Sequence, residues 1–134
     1  MQCKEFPIKV FVEDTDFQGF VYHANYIKYF ERARTQFLND HNFSQSDAIS
    51  NGLYVIKKLN ILFSLPAKLE DELVISTRVE ALSRARLEFS QVINFRDNYK
   101  KCCEGLIEVC FLDKINKKPI AFDSKLLKLI NNHE

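Results

Sequence analysis

The feature that most constrains the fold of this chain is a single helical segment with a strongly aromatic face. From Tyr26 onward, apolar residues recur at i, i+3, i+4, i+7 and i+11, which is the spacing of one face of an α-helix. The residues on that face are Tyr26, Tyr29, Phe30, Ala33 and Phe37. The spacing predicts a helix from about Asn25 to Asn39, and its aromatic face must be covered by other parts of the chain.

Strand-like segments can supply that cover. Apolar and polar residues alternate over residues 6–12, which predicts a first strand with Pro7 near its start. Four more strands are predicted after the helix: Leu53–Leu65, Leu73–Leu82, Arg86–Phe95 and Glu104–Leu112. Their connections are short and polar, as in antiparallel hairpins. The order predicts an α+β fold in which a curved antiparallel β-sheet wraps around the long central helix.

Two shorter helical segments complete the pattern. Ser44 is a candidate cap for a helical turn that runs to Ile49, and Gly52 ends that connection. The C-terminal segment predicts a short helix that is capped by Asp123 or Ser124. With 134 residues, of which 46% are hydrophobic, the chain is expected to form a single domain over residues 1–134.

Charge and composition narrow the possible functions. A net charge of +1 argues against broad binding to nucleic acids or anionic membranes. No segment is long and apolar enough to span a bilayer, and the first residues lack the apolar region of a targeting signal. The four cysteines form no CxxC motif and no Cys–His cluster, so neither a zinc site nor a disulfide framework is indicated. We therefore expect a cytoplasmic protein with reduced thiols.

Three acids are crowded into the loop before the long helix: Glu13, Asp14 and Asp16. A helix N-terminus carries unpaired amide donors that can hold an oxyanion during acyl transfer. A carboxylate beside them could act as nucleophile or as general base for water, while His23 could orient a carbonyl and Gly19 would allow a tight turn. Alternatively, such acids serve as caps and dipole partners. This structural interpretation is favoured for Glu13 and Asp14, and both interpretations stay open for Asp16.

The same loop and helix carry a specific motif. The segment "EDTDFQGFVYHANYIKYFERAR" resembles the signature D-x-D-x-x-G-x-V-Y-H-x-x-Y, followed by a helix ending E-R-A-R, of one class of acyl-CoA thioesterases. That class is the 4-hydroxybenzoyl-CoA thioesterase family, and within it the YbgC-type proteins are the most similar. The matching residues are Asp14, Asp16, Gly19, Val21, Tyr22, His23, Tyr26, Glu31, Arg32, Ala33 and Arg34. The resemblance covers the whole chain and implies the hotdog fold of that family.

This resemblance implies a thioester hydrolase with a defined site. The family's catalytic carboxylate corresponds to Asp16, its oxyanion donors to backbone amides around His23 and Ala24, and its positioning histidine to His23. Gly19 and Tyr22 belong to the same loop. The resemblance also implies a site at a homodimer interface, dimers that pair into tetramers, and no metal or redox cofactor. Partners in the Tol-Pal system or in phospholipid synthesis are expected from family context.

The residues that bind substrate are less constrained. Tyr26, Tyr29 and Phe63 are candidate walls of an acyl pocket, and family habit favours a fatty acyl group of medium or long chain. The phosphates of CoA need basic residues, and Arg84 and Arg86 beside a tight turn are the favoured pair. The rival basic residues are Lys57, Lys58, Lys100 and Lys101. Each of these cations could instead be an ordinary solvated charge.

Two other functions stay open. A hydratase or dehydratase of acyl thioesters uses a different order of acid and histidine, so the loop favours hydrolysis. A non-catalytic acyl-CoA-binding or scaffold protein on the same fold is the second alternative. A cysteine nucleophile is not favoured, because Cys102 and Cys103 fall at a strand entry and Cys110 within a strand, away from any helix N-terminus.

Overall fold

The structure is a computed structural model that describes residues 1–48 and 52–132. Those residues form five strands, three α-helices and one 3-10 turn. The strands are β1 (Phe6–Lys9), β2 (Leu53–Phe63), β3 (Glu72–Ser83), β4 (Arg86–Phe95) and β5 (Lys101–Leu112). The helices are α1 (His23–Asp40), α2 (Gln45–Ala48) and α3 (Ser124–Asn131), and the 3-10 turn spans Val12–Asp14. The predicted order of strands and long helices is confirmed.

The five strands form one antiparallel sheet in the order β1-β3-β4-β5-β2. β1 and β2 therefore lie at opposite edges, and an edge strand tolerates Pro7 because one side needs no hydrogen bonds. One row of paired residues crosses the whole sheet: Phe6, Ile75, Ile93, Cys103 and Phe63. The three central members of this row are fully buried, whereas Phe63 is exposed at the β2 edge.

The sheet covers the aromatic face of α1 as predicted. All five residues of that face are at most 4% exposed. The helix begins at His23 and ends at Asp40, so it is slightly longer at both ends than the apolar spacing indicated. The spacing could not locate the first turn, because His23, Ala24 and Asn25 contribute no large apolar side chain to the core. The structure shows that His23 is the first helical residue.

Gly105 in β5 packs closely against the Phe30 side chain of α1. A Cβ atom at this position would lie 3.0 Å from Cε2 of Phe30 and 3.2 Å from Cδ1 of Ile107. Both neighbours are fully buried and have little room to move. We expect Gly105→Ala to lower the free energy of unfolding by about 1–3 kcal/mol through overpacking. Urea denaturation measures this loss, and Gly105→Ala combined with Phe30→Leu should recover part of it.

If Gly105→Ala were as stable as the wild type in the same measurement, the Phe30 ring would have to move at little cost. The close packing between α1 and β5 would then not constrain position 105.

The first strand is shorter than predicted. The alternating pattern extends to Val12, but β1 ends at Lys9, and Phe11 and Val12 are exposed. The physical reason is a local side-chain bond: the Phe11 amide donates to the Asp14 carboxylate at 2.9 Å. This bond closes the 3-10 turn and draws the chain out of the extended conformation. The loop that carries the acids therefore begins earlier than the alternation suggested.

Other boundaries agree with the predictions to within a few residues. β2 ends at Phe63, short of Leu65, because the amides of Ser64 and Leu65 both donate to the Cys102 carbonyl. β5 begins at Lys101, ahead of the predicted Glu104. The predicted helical turn after Ser44 is α2, and its predicted end at Ile49 lies outside the described residues.

The C-terminal helix α3 is confirmed, and of the two candidate caps Asp123 is the one used. Its carboxylate accepts a hydrogen bond from the Lys125 amide at 2.7 Å. Leu126 and Ile130 of α3 are fully buried. The C-terminal segment thus completes the same core that α1 and the sheet form.

Candidate active site

Asp16 lies at the start of a tight turn in the loop before α1. The Asp16 amide donates to the Phe20 carbonyl at 2.9 Å, and the Gly19 amide donates to the Asp16 carbonyl at 3.0 Å. One carboxylate oxygen of Asp16 accepts from the Gln18 amide at 2.9 Å. The other oxygen has no hydrogen bond to any described residue, and the side chain is half-buried. The turn therefore fixes the carboxylate through one oxygen and leaves the second available.

Asp14 has a different role in the same loop. Its side chain is buried, and its carboxylate accepts the Phe11 amide. Its backbone carbonyl accepts the Tyr22 amide at 2.9 Å and the Asn25 side-chain amide at 2.8 Å. Asp14 thus joins the 3-10 turn to the first turn of α1. These contacts fit the structural interpretation favoured for this residue, while Glu13 is exposed.

The start of α1 offers free backbone donors. Tyr22 is the N-cap with extended backbone (φ −61°, ψ 130°), and its side chain makes no capping hydrogen bond. The amides of His23 and Ala24 belong to the first turn, where a helix has no internal acceptors for them. The described residues supply no other acceptor to these two amides. Uncapped donors at the positive end of a helix dipole form a site suited to an oxyanion.

An apolar groove of about 230 Å³ opens beside these donors. It is lined by Val21, His23, Tyr26, Phe63, Ser64, Leu65, Pro66 and Cys102. The His23 ring lies 4.5 Å from the Tyr22 ring and 6.5 Å from the Phe63 ring, measured between centroids. Of the predicted wall residues, Tyr26 and Phe63 line this groove, with their ring centroids 5.9 Å apart. The predicted histidine and two predicted wall residues are thus brought together.

Tyr26 is fixed by its own hydroxyl. The hydroxyl oxygen accepts the Ala67 amide at 3.0 Å, which ties α1 to the connection between β2 and β3. Burial raises the pKa of Tyr26 well above its usual range. Tyr26 therefore stays neutral and acts as a rigid wall of the groove.

Tyr29 does not reach the groove, so its predicted role as a wall residue is not supported. It is fully buried behind Tyr26, with the two ring centroids 6.1 Å apart. Its hydroxyl has no hydrogen-bond partner among the described residues. Burial raises the pKa of Tyr29, and the nearby Asp14 raises it further. The helical spacing placed Tyr29 on the aromatic face, but it could not separate the core from the pocket wall.

Sequence reasoning missed one side of the groove. Ser64 and Leu65 were placed at the end of the predicted strand Leu53–Leu65, and Pro66 at the start of the polar connection after it, so none of the three was marked as a wall residue. Cys102 had been considered as a nucleophile and set aside, not as a wall residue. Its pKa is lowered, chiefly by a hydrogen bond from the Cys103 thiol, but its side chain is almost fully buried. No signal in the sequence marks these wall residues. They meet because β2 pairs with β5, and strand patterns alone do not show which strands pair.

The predicted CoA-binding arginines lie far from this groove within one chain. Arg86 pairs with Cys110 of β5, whereas Phe63, a wall residue of the groove, pairs with Cys103 of the same strand. The positions of Arg86 and Phe63 are therefore separated by roughly 23 Å along β5. The Arg86 Nε donates to Glu108 at 2.6 Å, so this guanidinium already has an anionic partner. Arg84 is exposed at the same end. The two arginines and the groove can meet only if another chain is involved.

The rival lysines occupy three different places. Lys57 and Lys58 lie on the exposed β2 edge, where the pairing with β5 is irregular. Lys101 forms an ion pair with Glu104. Lys100 lines a wide cleft that also includes Lys68 and shares Leu65 and Pro66 with the apolar groove. Among these lysines, Lys100 is therefore the one beside the groove.

Gly19 has the backbone conformation that the turn requires. Its φ is +85°, and a Cβ atom there would meet no heavy atom within 4 Å. Any cost of substitution is therefore conformational and not steric crowding. We expect Gly19→Val to lower the free energy of unfolding by about 1–2 kcal/mol, with a smaller loss for Gly19→Asn, because Asn tolerates positive φ better. Thermal denaturation of both variants tests this order, and equal losses would contradict it.

Comparison with known proteins places the chain in a family. A family model described as the Thioesterase-like superfamily matches residues 10–130. The chain is 36% identical over 123 residues to the acyl-CoA thioesterase YbgC of Haemophilus influenzae, covering 90% of this chain and 89% of that protein. It is 32% identical over 138 residues to the acyl-CoA thioesterase YbgC of Helicobacter pylori, covering 98% of each. The chain belongs to the YbgC family of acyl-CoA thioesterases.

The family assignment confirms the resemblance drawn from the loop motif. The hotdog fold expected of a YbgC-family chain is confirmed as well. A 1,4-dihydroxy-2-naphthoyl-CoA thioesterase from Synechocystis superposes with a TM-score of 0.94, covering 99% of this chain and 98% of that one, at 17% sequence identity. At that identity the likeness shows the fold alone. In this YbgC-family chain, the loop that holds the Asp16 carboxylate leads directly into the first turn of α1, where the free amide donors lie.

Proposed function

We propose that this chain hydrolyses acyl-CoA thioesters in the groove beside the start of α1. The observation that carries the proposal is the combination of a half-free carboxylate on Asp16, uncapped amides at His23 and Ala24, and an adjoining apolar groove. An acyl-transfer site needs these three parts: a nucleophile or base, an oxyanion site and room for the acyl group. The names of the YbgC relatives agree with this activity.

In the proposed reaction, the thioester carbonyl lies over the first turn of α1. The free oxygen of Asp16 either attacks the carbonyl carbon to give a mixed anhydride or removes a proton from a water that attacks. The amides of His23 and Ala24 hold the developing oxyanion. The carbon–sulfur bond then breaks, and CoA leaves as the thiolate, which takes up a proton. On the anhydride route, a water then hydrolyses the mixed anhydride, which releases the free acid and restores the Asp16 carboxylate. The carboxylate and the amides suffice for these steps, so we propose no metal or redox cofactor.

His23 can contribute in two ways that experiment can separate. Its backbone amide is part of the proposed oxyanion site, and its ring lines the groove between Tyr22 and Phe63. Because the ring is exposed and donates no hydrogen bond to a described residue, we propose that the amide makes the larger contribution. His23→Ala should then retain kcat within about tenfold of the wild type. A loss as large as that of an Asp16 variant would assign the main role to the imidazole.

The acyl group proposed for this site is a fatty chain of medium or long length. The groove is lined mostly by apolar and aromatic side chains, which suits an acyl tail without polar groups. The test is release of free thiol from a panel of short, long and aromatic acyl-CoAs. A preference for short or aromatic substrates would replace the fatty-acyl proposal. Tight binding without turnover of any substrate would favour a scaffold role, and hydration without release of CoA would favour a hydratase.

For the phosphates of CoA, we propose Lys68 and Lys100 in addition to the predicted arginines. Both lysines line the cleft that shares Leu65 and Pro66 with the groove. Lys68 also forms an exposed ion pair with Asp71 at 3.2 Å, whereas Lys100 has no ion pair with a described residue and is the stronger candidate. Paired substitutions separate the two sets: Lys68→Ala with Lys100→Ala, against Arg84→Ala with Arg86→Ala. A higher KM for acyl-CoA only in the lysine pair would support the cleft. A higher KM only in the arginine pair would mean that a second chain brings Arg84 or Arg86 to the groove.

We propose that the chain forms a homodimer, and that dimers pair further. β2 is an edge strand that pairs with β5 on one side only, and it carries exposed apolar side chains, including Leu62 and Phe63. Phe17 on the nearby loop is 97% exposed. Exposed apolar surface and an open edge are features that proteins usually cover. Sedimentation equilibrium of the wild type and of Leu62→Glu tests this arrangement. A monomeric wild type would contradict it.

The cellular setting is also a proposal. None of the helices within residues 1–48 and 52–132 is long and apolar enough to cross a bilayer. A cytoplasmic location and partners of the Tol-Pal or phospholipid-synthesis machinery follow from family context. Fractionation of cells and affinity purification with known components of those systems would test them.

A further inference from the structure

A second cavity lies further along α1, away from the proposed active site. Its volume is about 140 Å³, and it is a partly open cavity lined by residues of α1, β2, β4 and β5 and by Gln45 of α2. Arg34 lines it, and this residue is about 16 Å along the helix axis from His23. The groove and this cavity share no lining residue. The cavity is therefore a separate site and has its own chemistry.

Arg34 is a buried cation with no ion-pair partner among the residues that the structure describes. Its side chain is 7% exposed, and no carboxylate of the described residues lies within ion-pair distance of it. Burial lowers the pKa of Arg34 to about 10, an effect that Glu31 partly opposes. The guanidinium therefore stays charged at neutral pH. Buried charges in proteins are normally paired with an opposite charge, so this one is an exception that needs a physical reason.

The guanidinium is held in place by other contacts. One terminal nitrogen donates to the Gln91 side-chain oxygen at 3.0 Å, which is its only hydrogen bond among the described residues. The Gln91 nitrogen donates in turn to the Phe30 carbonyl and to the Thr77 hydroxyl. The guanidinium carbon lies 5.9 Å from the centroid of the Phe89 ring. These contacts fix the orientation of the group, and most of its N–H donors have no partner among the described residues.

The remaining walls define what could pair with those donors. Leu38, Leu87 and Phe89 give the cavity an apolar interior, and Glu31 adds a negative charge. The volume is close to that of a cavity known to accept a benzene ring, about 150 Å³. A guanidinium fork matches the two oxygens of a carboxylate, while Glu31 disfavours ligands with a higher negative charge.

We propose that this cavity binds a small monocarboxylate with a compact apolar body, its carboxylate on Arg34 and its aromatic or short aliphatic part against Leu38, Leu87 and Phe89. The ligand supplies the missing counter-charge and covers the apolar wall at the same time. The proposal is independent of the catalytic function, because it uses no residue of the Asp16 loop or of the groove.

The test uses benzoate as the probe and benzamide as its neutral analogue of similar shape, titrated into the full chain by NMR. We expect benzoate to bind wild type at least tenfold more tightly than benzamide does, with contacts to the methyl groups of Leu38 and Leu87. Arg34→Met should weaken benzoate binding at least tenfold. The matched control is Arg32→Met, an exposed arginine of the same helix outside this cavity, which should leave the affinity unchanged.

Three results would overturn the proposal. Equal affinity for benzoate and benzamide would mean that the cavity does not recognise the negative charge of the carboxylate. Unchanged benzoate binding in Arg34→Met would exclude the guanidinium, and contacts to Val21 or Tyr26 would place the ligand in the catalytic groove. If Arg34→Met does not fold, the comparison of benzoate with benzamide on wild type and the mapped contacts still decide the question.

Discussion

Replacing Asp16 with Asn is expected to lower kcat for acyl-CoA hydrolysis by about 10²- to 10⁴-fold, the range typical of losing a general base. An amide can neither attack the thioester nor accept a proton from water. The substitution keeps the local structure, because the amide oxygen of Asn can still accept the Gln18 backbone N–H that Asp16 accepts at 2.9 Å. The loss should therefore lie in chemistry and not in folding. Release of free thiol under saturating acyl-CoA measures it.

The matched control for this variant is Glu13→Gln, an exposed carboxylate of the same loop. It removes the same charge three residues away and should leave kcat within about threefold of wild type, since surface charges act weakly through solvent. Both variants should unfold at the wild-type temperature. A kcat for Asp16→Asn close to that of wild type would remove Asp16 from the mechanism. An equal loss in both variants would point to the charge of the loop as a whole.

The largest expected effect on stability comes from Gln91→Leu, at about 3 kcal/mol or more. Gln91 is fully buried and makes three hydrogen bonds, to Arg34, Phe30 and Thr77. Leucine fills a similar volume but leaves the Arg34 guanidinium without its hydrogen-bond partner. A buried charge that loses its partner costs several kcal/mol, far more than the net value of one hydrogen bond. Chemical denaturation monitored by circular dichroism gives the change in free energy of unfolding.

A double-mutant cycle separates the charge from the packing. Arg34→Met alone removes the cation. In that background, Gln91→Leu no longer leaves a buried charge without a hydrogen-bond partner. We expect the double variant to be more stable than Gln91→Leu alone, since replacing a whole buried polar pair by apolar groups is often nearly neutral. If the two losses simply add, then Gln91 stabilises the fold by filling space and not by solvating Arg34.

The sequence predicted the elements that depend on a repeated pattern. The face of α1 follows from five apolar positions at helical spacing, and all five are buried. A cap at Asp123 or Ser124 follows from their position before an amphipathic segment, and the structure shows that Asp123 is the one whose carboxylate accepts the Lys125 amide. The loop motif by itself indicates the family. These signals depend on residues that are close together in the sequence or on specific residue types at fixed spacing, so one sequence is enough to show them.

Other features depend on specific side-chain contacts or on contacts between distant residues, and the hydrophobic pattern of the sequence could not predict them. The bond between the Phe11 amide and Asp14 ends β1 early, although the alternation continues through Val12. The wall formed by residues 64–66 exists only because β2 pairs with β5 and places that connection beside His23. In the sequence, Arg34 is one of several charged residues of α1, and only the tertiary structure shows that it is buried. The loop motif was visible from the sequence, whereas the shape of its surroundings required the tertiary structure.

The strand order has a consequence for how this chain acquires its structure. α1 is synthesised before β3, β4 and β5, yet these strands cover its aromatic face, and β5 ends only at Leu112. β1 pairs with β3, and β2 with β5, so both edges of the sheet close through contacts between distant segments. Such a topology folds slowly compared with a helical bundle. During translation the helix therefore emerges from the ribosome with its aromatic face uncovered, and this nascent segment is the part of the chain that chaperones would be expected to protect.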